Sequence, residues 1–183
     1  MRGTDWHRHV RWQARLCQGY LVTSREGLIL RVRTCLPLPE QKGATVAAAT
    51  PTAVPPTAWL TLKAQPPDAA VSPLTRLEFE YPIPLADAEE LLCLTSQQVH
   101  KRRHGLDLPG GDWVLDVFEG ANAPLVVAEV ELVDATQPVA VPAWCVRELT
   151  GRHELSNAAL ADRPLQEWST AERAALWQDA HPG

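Results

Sequence analysis

Pairs of like charge, separated by one residue, recur along the chain and are its feature best suited to chemistry. Two strand-like segments carry basic pairs, and two carry acidic pairs. The pairs are Arg31 and Arg33, Lys101 and Arg103, Glu78 and Glu80, and Glu129 and Glu131, and Lys63 and Asp116 add single charges. Arginine and lysine hold phosphate oxygens, and carboxylates hold hard cations such as Mg²⁺. Brought together, these residues would suit a polyanion accompanied by a divalent metal.

The spacing of these pairs puts both members on one face of a strand, because side chains at positions i and i+2 point the same way. Two arrangements fit this pattern. The charged faces could form the solvated outside of a sheet, where most charged residues lie. Alternatively, a closed antiparallel barrel could turn them inward, so that five cations and five acids line one cavity. The sorting of charge sign by strand favours the second arrangement, but the residues alone leave both open.

The elements that position the charges are predicted to be short antiparallel strands and a few helices. Runs of β-type residues with Gly and Pro punctuation predict strands at 18–23, 27–34, 59–63, 75–81, 99–108, 112–118 and 124–133. Helical spacing predicts helices at 85–94 and 169–180, and Ser169 with Glu172 forms a capping box for the second. This order of elements predicts an α+β fold built on a barrel-like antiparallel sheet.

The length of 183 residues favours one domain. We expect this domain to span residues 1–168, with the Pro- and Ala-rich segment 36–58 as an inserted loop. A helical extension is expected at 169–183, either covering the outside of the barrel or pairing the subunits of a homodimer.

Composition and charge exclude several classes of function. The net charge of −5 argues against a broad nucleic-acid-binding surface. No apolar run approaches the roughly 20 residues that span a membrane. The four cysteines lie far apart without metal-ligand spacing, which predicts free thiols in a reducing compartment, and hence a cytoplasmic protein.

Short motifs between about residues 6 and 168 form an ordered set. They are QGYL at 18–21, LRVR at 30–33, LTLK at 60–63, RLEFEYPIP at 76–84, DAEELL at 87–92, VHKRR at 99–103, WVLDVFEG at 113–120, AEVEL at 128–132, PAW at 142–144, ELT at 148–150 and SN at 156–157. In this order they resemble the bacterial CYTH family, the triphosphate tunnel metalloenzymes. Within that family the pattern is most similar to the inorganic tripolyphosphatases.

The resemblance implies an eight-stranded antiparallel tunnel that binds a triphosphate, with Mg²⁺ or Mn²⁺ bridging phosphate to carboxylates. It implies that phosphate is bound by Arg31, Arg33, Lys63, Arg76, Lys101 and Arg103. It also implies that Glu129 and Glu131 are metal ligands, and that Glu78, Glu80 and Asp116 ligate the metal or position its waters. Tyr20 resembles the tyrosine treated as proton acceptor in similar enzymes.

The expected function is therefore metal-dependent hydrolysis of a triphosphate, chiefly inorganic tripolyphosphate to pyrophosphate and phosphate. A small polyanion, either tripolyphosphate or a nucleoside triphosphate, is the expected partner. Two alternatives stay open. One is an adenylate cyclase-like activity, which would need a purine pocket at the tunnel mouth, and the other is a non-catalytic module that binds polyphosphate or nucleotide.

The chain departs from the family pattern at its first strand. Family members open with a Glu-x-Glu-x-Lys strand, and this sequence has no such segment. Three explanations compete: a start that lies upstream, a short form that binds phosphate but hydrolyses poorly, and replacement of the strand by another segment or subunit. His7 and His9 could be offered as substitute ligands, but a loose His-x-His near a terminus is more often simply solvated.

Overall fold

The structure is a computed structural model that describes residues 5–24, 27–39, 55–64, 77–132 and 137–178. Within these residues seven strands form: β1 (Val10–Thr23), β2 (Ile29–Pro37), β3 (Thr57–Ala64), β4 (Leu77–Pro82), β5 (Gln98–Leu106), β6 (Asp112–Phe118) and β7 (Val126–Glu131). The helices are α1 (Leu85–Cys93), α2 (Asn157–Asp162) and α3 (Thr170–Gln178). Short 3₁₀ turns lie at Asp5–His9, Gly120–Asn122, His153–Leu155 and Leu165–Glu167.

All seven strands pair antiparallel in one sheet, in the order β4-β3-β2-β1-β5-β6-β7. Strands β1 to β4 are neighbours in chain order, and so are β5 to β7. Strand β5 pairs with the central strand β1, and α1 carries the chain from the edge strand β4 back to β5. The sheet curls into a half-barrel. The predicted α+β fold with a barrel-like antiparallel sheet is therefore confirmed, and the described residues form seven of the eight strands that the resemblance implies.

Strand β1 is the element whose extent was predicted least well. We predicted a strand at 18–23, whereas β1 begins at Val10 and runs for 14 residues. Buried Ala14 and Leu16 are interleaved with exposed Arg11 and Arg15 in its first half, so the alternation that predicts a strand was present there and was missed. By contrast, β6 has the predicted bounds. Helix α2 was not predicted, since six residues are too few for a periodic signal.

The two faces of the sheet are covered by different elements. One face, which we name the α1 face, carries Val32 and Ala58, and both pack against Ala88 of α1. Gly19 permits this close approach, since a Cβ at that position would lie 2.8 Å from Leu92 Cδ2. We name the opposite face the charged face. It carries Tyr20, Gln18, Leu16 and Ala14 of β1 and the residues that lie opposite them on the neighbouring strands.

The C-terminal helices close one end of the charged face. Leu160 of α2 and Leu176 of α3 lie in one buried cluster with Tyr20, Val99 and Phe118. We expected the last helix to cover the outside of the barrel or to pair subunits. It packs on the side that bears the charges, where the apolar end of that face buries Leu176, and the pairing of subunits stays a prediction.

A third buried cluster lies on the α1 face of β6. Trp6, Trp113 and Trp144 pack there around Leu115, which is fully buried. The cluster ties the first described turn and the segment before α2 to the sheet.

Several expectations fall partly outside the described residues. Most of the predicted loop at 36–58 and the start of the predicted strand at 75–81 lie there. All four cysteines carry free thiols, as predicted. None of the described helices combines the length and the apolar composition needed to cross a bilayer.

His104, on the α1 face of β5, gives the fold a pH dependence. Its side chain is 8% exposed, its Nδ1 has no hydrogen-bond partner among the described residues, and its ring centroid lies 4.9 Å from that of Trp6. Burial lowers the pKa of His104 below its usual value, and the charges of His7 and Arg102 lower it further. The folded protein thus takes up this proton less readily than the unfolded chain.

A group of this kind contributes stability that is present above its unfolded pKa, near 6.5, and is lost as pH falls through the folded pKa. We expect the free energy of unfolding to fall below about pH 6.5 by up to about 1.4 kcal/mol per pH unit from this group. Urea unfolding between pH 7.5 and 5 measures the slope. His104→Leu should flatten it, and His100→Leu, which keeps His104, should not; an equal slope in His104→Leu and wild type would contradict this account.

Candidate functional site

Strand register places eleven of the twelve predicted site residues on the charged face. Residues directly opposite on neighbouring antiparallel strands share a face. The pairs that link the face are Tyr20–Arg31, Gln18–Arg33, Leu16–Lys101, Ala14–Arg103, Thr61–Glu80, Lys63–Glu78, Arg103–Asp116, Val114–Glu129 and Asp112–Glu131. The twelfth residue, Arg76, lies outside the described residues.

The charged residues form a diagonal row across the strands. From β4 towards β6, the row passes Glu80 level with Tyr20, Arg33 level with Gln18, Lys101 level with Leu16, and Arg103 level with Ala14. Strands in a barrel-like sheet tilt by about 35–45° from its axis. The row forms a charged band beside the apolar end of the face that the C-terminal helices cover.

The first half of the band is a network on β2, β3 and β4, which we name the β2–β4 cluster. Glu80 Oε1 accepts hydrogen bonds from Arg31 Nη2 at 3.4 Å, Arg33 Nη2 at 3.2 Å and Thr61 Oγ1 at 2.9 Å. Lys63 Nζ donates to Glu78 Oε2 at 2.8 Å. One carboxylate thus holds two guanidinium groups side by side.

The second half is a network on β5, β6 and β7, which we name the β5–β7 cluster. Arg103 binds Asp116 with two hydrogen bonds, from Nε to Oδ1 at 2.8 Å and from Nη2 to Oδ2 at 2.7 Å. Lys101 Nζ donates to Asp116 Oδ2 at 2.6 Å and to Asn157 Oδ1 at 3.1 Å. Arg103 Nη2 also reaches Glu129 Oε2 at 3.2 Å.

The side chains of the band differ in how deeply they are buried. The Lys101 and Asp116 side chains are wholly buried, whereas those of Arg31, Arg33 and Arg103 are 11%, 21% and 20% exposed. The alternative of a solvated outer face is therefore wrong for this band. Lys101, predicted to bind phosphate, is enclosed between Asp116, Asn157 and the Phe118 ring.

The pKa of Asp116 follows from its partners. Burial by itself would raise the pKa of the carboxyl group, but the hydrogen bonds and charges of Arg103 and Lys101 outweigh burial and lower it. Burial also lowers the pKa of Lys101, and Asp116 offsets only part of that effect. Asp116 therefore stays ionised and fixes two cations, an arrangement better suited to positioning Arg103 than to ligating a metal.

Comparison with known proteins identifies the family. No protein-family model matches the chain. An inorganic triphosphatase of Acetivibrio thermocellus is 35% identical over 97 residues, which cover 52% of this chain and 62%, or less than two thirds, of that protein. An inorganic triphosphatase of Nitrosomonas europaea is 33% identical over 150 residues, which cover 80% of this chain and 83% of the relative. The chain belongs to the CYTH family.

Solved structures agree with this assignment of the CYTH chain. A crystal structure of an inorganic triphosphatase is 29% identical, covers 81% of this chain and 85% of its own, and superposes with a TM-score of 0.54. A second crystal structure, with the same identity and coverage, has a TM-score of 0.53. The resemblance read from the sequence motifs is thereby confirmed.

Tyr20 of this CYTH chain is placed beside the band but inside the apolar cluster. It is 5% exposed, and burial raises its pKa, although the charge and hydrogen bond of Arg31 oppose the rise. At neutral pH its phenol is therefore protonated. As placed, Tyr20 fits the role of a hydrogen-bond donor to an anion beside Arg31 better than that of a proton acceptor.

The five predicted metal-site carboxylates do not meet at one point. Among the described residues, no group of three or more His, Cys, Asp or Glu side chains could hold a metal ion. Glu129 and Glu131 share one side of β7 and line an open groove of about 320 Å³ together with Arg103 and Asp112. Of the three carboxylates on this groove, Glu129 and Glu131 are the predicted ligands, and they fit a hard cation whose remaining ligands come from phosphate and water.

Three residues of the site were not predicted from the sequence. Thr61 bridges Arg31 and Glu80, Asn157 accepts from Lys101, and Gln18 lies between β2 and β5 on the charged face. Thr61 and Gln18 stand two residues before Lys63 and Tyr20, so the same i, i+2 rule could have found them. Asn157 offered no signal of this kind, since it reaches the band only through the packing of α2.

Trp59 is half-buried and has a position that differs from that of the buried tryptophans. It lies opposite Arg33 on the charged face, and the Arg33 guanidinium carbon is 5.1 Å from its ring centroid. The indole holds the guanidinium by a cation–π contact.

Asp116 should be the most sensitive charged residue for stability. Asp116→Asn leaves the wholly buried Lys101 without a counter-charge and leaves Arg103 with Glu129 alone, which should lower the free energy of unfolding by about 3–5 kcal/mol. Glu78→Gln, which breaks the more exposed pair with Lys63, should cost about 0–1 kcal/mol. Urea unfolding at pH 7 compares the two; losses of equal size would show that the β5–β7 cluster is not the stronger network.

Proposed function

We propose that this chain hydrolyses inorganic tripolyphosphate to pyrophosphate and phosphate with the aid of Mg²⁺ or Mn²⁺. The observation that carries the proposal is the charged band, in which Arg31, Arg33 and Arg103 share one partly buried face. The names of its relatives, both inorganic triphosphatases, support a hydrolase acting on a triphosphate.

The band suits a chain of linked phosphates. Guanidinium groups bind phosphoryl oxygens through paired N–H donors, and partial burial strengthens each contact relative to water. The repulsion among the cations is relieved here by acids: Glu80 faces Arg31 and Arg33, and Asp116 faces Arg103. A bound oligophosphate would take over part of that neutralisation.

Catalysis would follow from charge held in place. The oxygen of water bonds to the terminal phosphorus, the bond from that phosphorus to the bridging oxygen breaks, and the electron pair leaves with pyrophosphate. The proton from water passes to a phosphoryl oxygen or to solvent. Negative charge spreads over the transferred group and the leaving group, and Arg103, already fixed by Asp116, stabilises it without reorganising.

Glu129 and Glu131 would hold the divalent cation at the groove beside Arg103. When bound, the metal supplies charge neutralisation of the phosphoryl oxygens and activation of water. Glu78 and Glu80 stand on the opposite edge of the sheet, paired with Lys63 and with the β2 arginines. We therefore assign them to the placement of cations.

A second candidate function is a module that binds polyphosphate or nucleotide with little or no turnover. The observation that favours it is the lack of a three-carboxylate group among the described residues. Such a module would use the same cations without a complete metal site. An adenylate cyclase-like activity has no specific support from the described residues.

The location and assembly of the protein are part of the proposal. Four free thiols agree with a reducing compartment, and we propose the cytoplasm. A homodimer remains a prediction from the sequence.

Phosphate release from tripolyphosphate, ATP and thiamine triphosphate, with Mg²⁺, Mn²⁺ or chelator, tests the function directly. Release from tripolyphosphate that is fast and stops with chelator supports the triphosphatase. Tight binding of tripolyphosphate without release would favour the binding module. If the chain neither binds tripolyphosphate nor releases phosphate from it, both candidate functions are overturned.

Glu131→Gln tests the place of the metal. Loss of one carboxylate from the groove should reduce metal-dependent turnover by about a hundredfold or more, since the metal stabilises charge that develops in the transition state. The exposed position of Glu131 predicts an unchanged melting temperature. Glu89→Gln, at an exposed position of α1, is the matched control. Near wild-type turnover of Glu131→Gln would place the metal elsewhere.

A further inference from the structure

Gln18 is a buried polar side chain on the charged face whose amide oxygen lacks a hydrogen-bond partner among the described residues. It is 2% exposed and lies on the charged face, opposite Arg33 of β2 and Val99 of β5. Its Oε1 has no hydrogen-bond partner in the described part of the chain. Buried side-chain polar atoms are nearly always hydrogen-bonded, so an unpaired one at the centre of a charged face needs a physical reason.

Two more unpaired polar atoms belong to its neighbours on β2. The Nε atoms of Arg31 and Arg33 are buried and have no acceptor among the described residues, although Nη2 of each arginine donates to Glu80. Arg33 is the direct cross-strand partner of Gln18, and Arg31 follows at the next position of the same face. We name these three side chains the Gln18 patch.

The Gln18 patch can present donors alone. A carboxamide carries an acceptor and a donor on the same planar group, and a half-turn about its last torsion exchanges the two. With Nε2 turned towards the position of Oε1, the patch would offer two guanidinium N–H groups and one neutral amide N–H group. An anionic oxygen is the ligand that such a set accepts.

We propose that Gln18 is a ligand of the bound oligophosphate and donates Nε2–H to a phosphoryl oxygen beside Arg33. This inference rests on the proposed function and deepens it by adding a binding residue to the site. It also gives one common reason for the three unpaired atoms.

A neutral donor is suited to this position. Burial lowers the pKa of Arg33, and the nearby charges of Arg31 and Arg103 lower it further. Another cation at position 18 would add to this repulsion. An amide adds a hydrogen bond to phosphate without adding charge.

Gln98 shows what a structural glutamine looks like in the same sheet. It lies on β5 opposite Gly19, so it belongs to the α1 face. Its Nε2 donates to the carbonyl oxygens of Leu92 at 2.7 Å and Thr95 at 2.8 Å, and its Oε1 accepts from Cys17 Sγ at 3.6 Å. Gln98 is fully partnered by the protein, whereas Gln18 is not.

The test is calorimetric titration of the full chain with inorganic tripolyphosphate in buffer with chelator, so that binding is measured without turnover. Gln18→Leu should weaken binding by about tenfold to a hundredfold, the effect of losing one hydrogen bond to a charged ligand. Gln18→Glu, which adds a negative charge, should weaken it more. Gln98→Leu should keep wild-type affinity while lowering the melting temperature.

A folded Gln18→Leu variant with wild-type affinity would overturn the role of Gln18 and leave the proposed function intact. A wild-type chain that neither binds nor hydrolyses tripolyphosphate would overturn both. A second measurement avoids dependence on the folding of the variants: in a ¹H–¹⁵N spectrum of the wild-type protein, tripolyphosphate should shift the side-chain amide signals of Gln18 and leave those of Gln98 in place. Unchanged Gln18 signals at saturating ligand would overturn the inference.

Discussion

The contact on which the site depends is the Asp116 carboxylate held by both Lys101 and Arg103 where solvent does not reach. Taking the Lys101 and Asp116 charges wholly out of water, and the Arg103 charge largely so, is costly, and their attraction repays the cost only when the geometry is good and the remaining donors are satisfied. Here Arg103 is bound at two points and Lys101 has a second acceptor in Asn157. These contacts hold the Arg103 guanidinium in place beside the groove.

This network is possible because the C-terminal helices close the end of the sheet beside it. Leu160, Trp168 and Leu176 bury Val99 and Phe118 on the same face that carries the charges. The apolar end lowers the local dielectric response, so each ion pair in the band is stronger than it would be in water. The α2 helix serves both needs, since it supplies Leu160 to the cluster and Asn157 to Lys101.

The two halves of the band are built differently, and this bears on how a polyanion would sit. In the β5–β7 cluster the acid is buried and its contacts are short, so Arg103 is rigid. In the β2–β4 cluster Glu80 is 35% exposed and shares one oxygen among three donors, so Arg31 and Arg33 can exchange it for phosphate. A fixed cation at one end and exchangeable ones at the other fit a ligand that enters from the open side.

The sequence by itself determined the family, the antiparallel sheet and the common face of the charges, because strand periodicity and motif order are local properties. Alternating positions around Val32, Phe79 and Val130 were enough to group their neighbours. The sequence could not determine that Lys101 is fully buried or that Tyr20 is protonated inside an apolar cluster. Nor could it determine that the carboxylates divide between two edges of the sheet. Tertiary structure decided these points, since burial and pKa depend on what packs over a residue, and the helices that pack there lie more than fifty residues further along the chain.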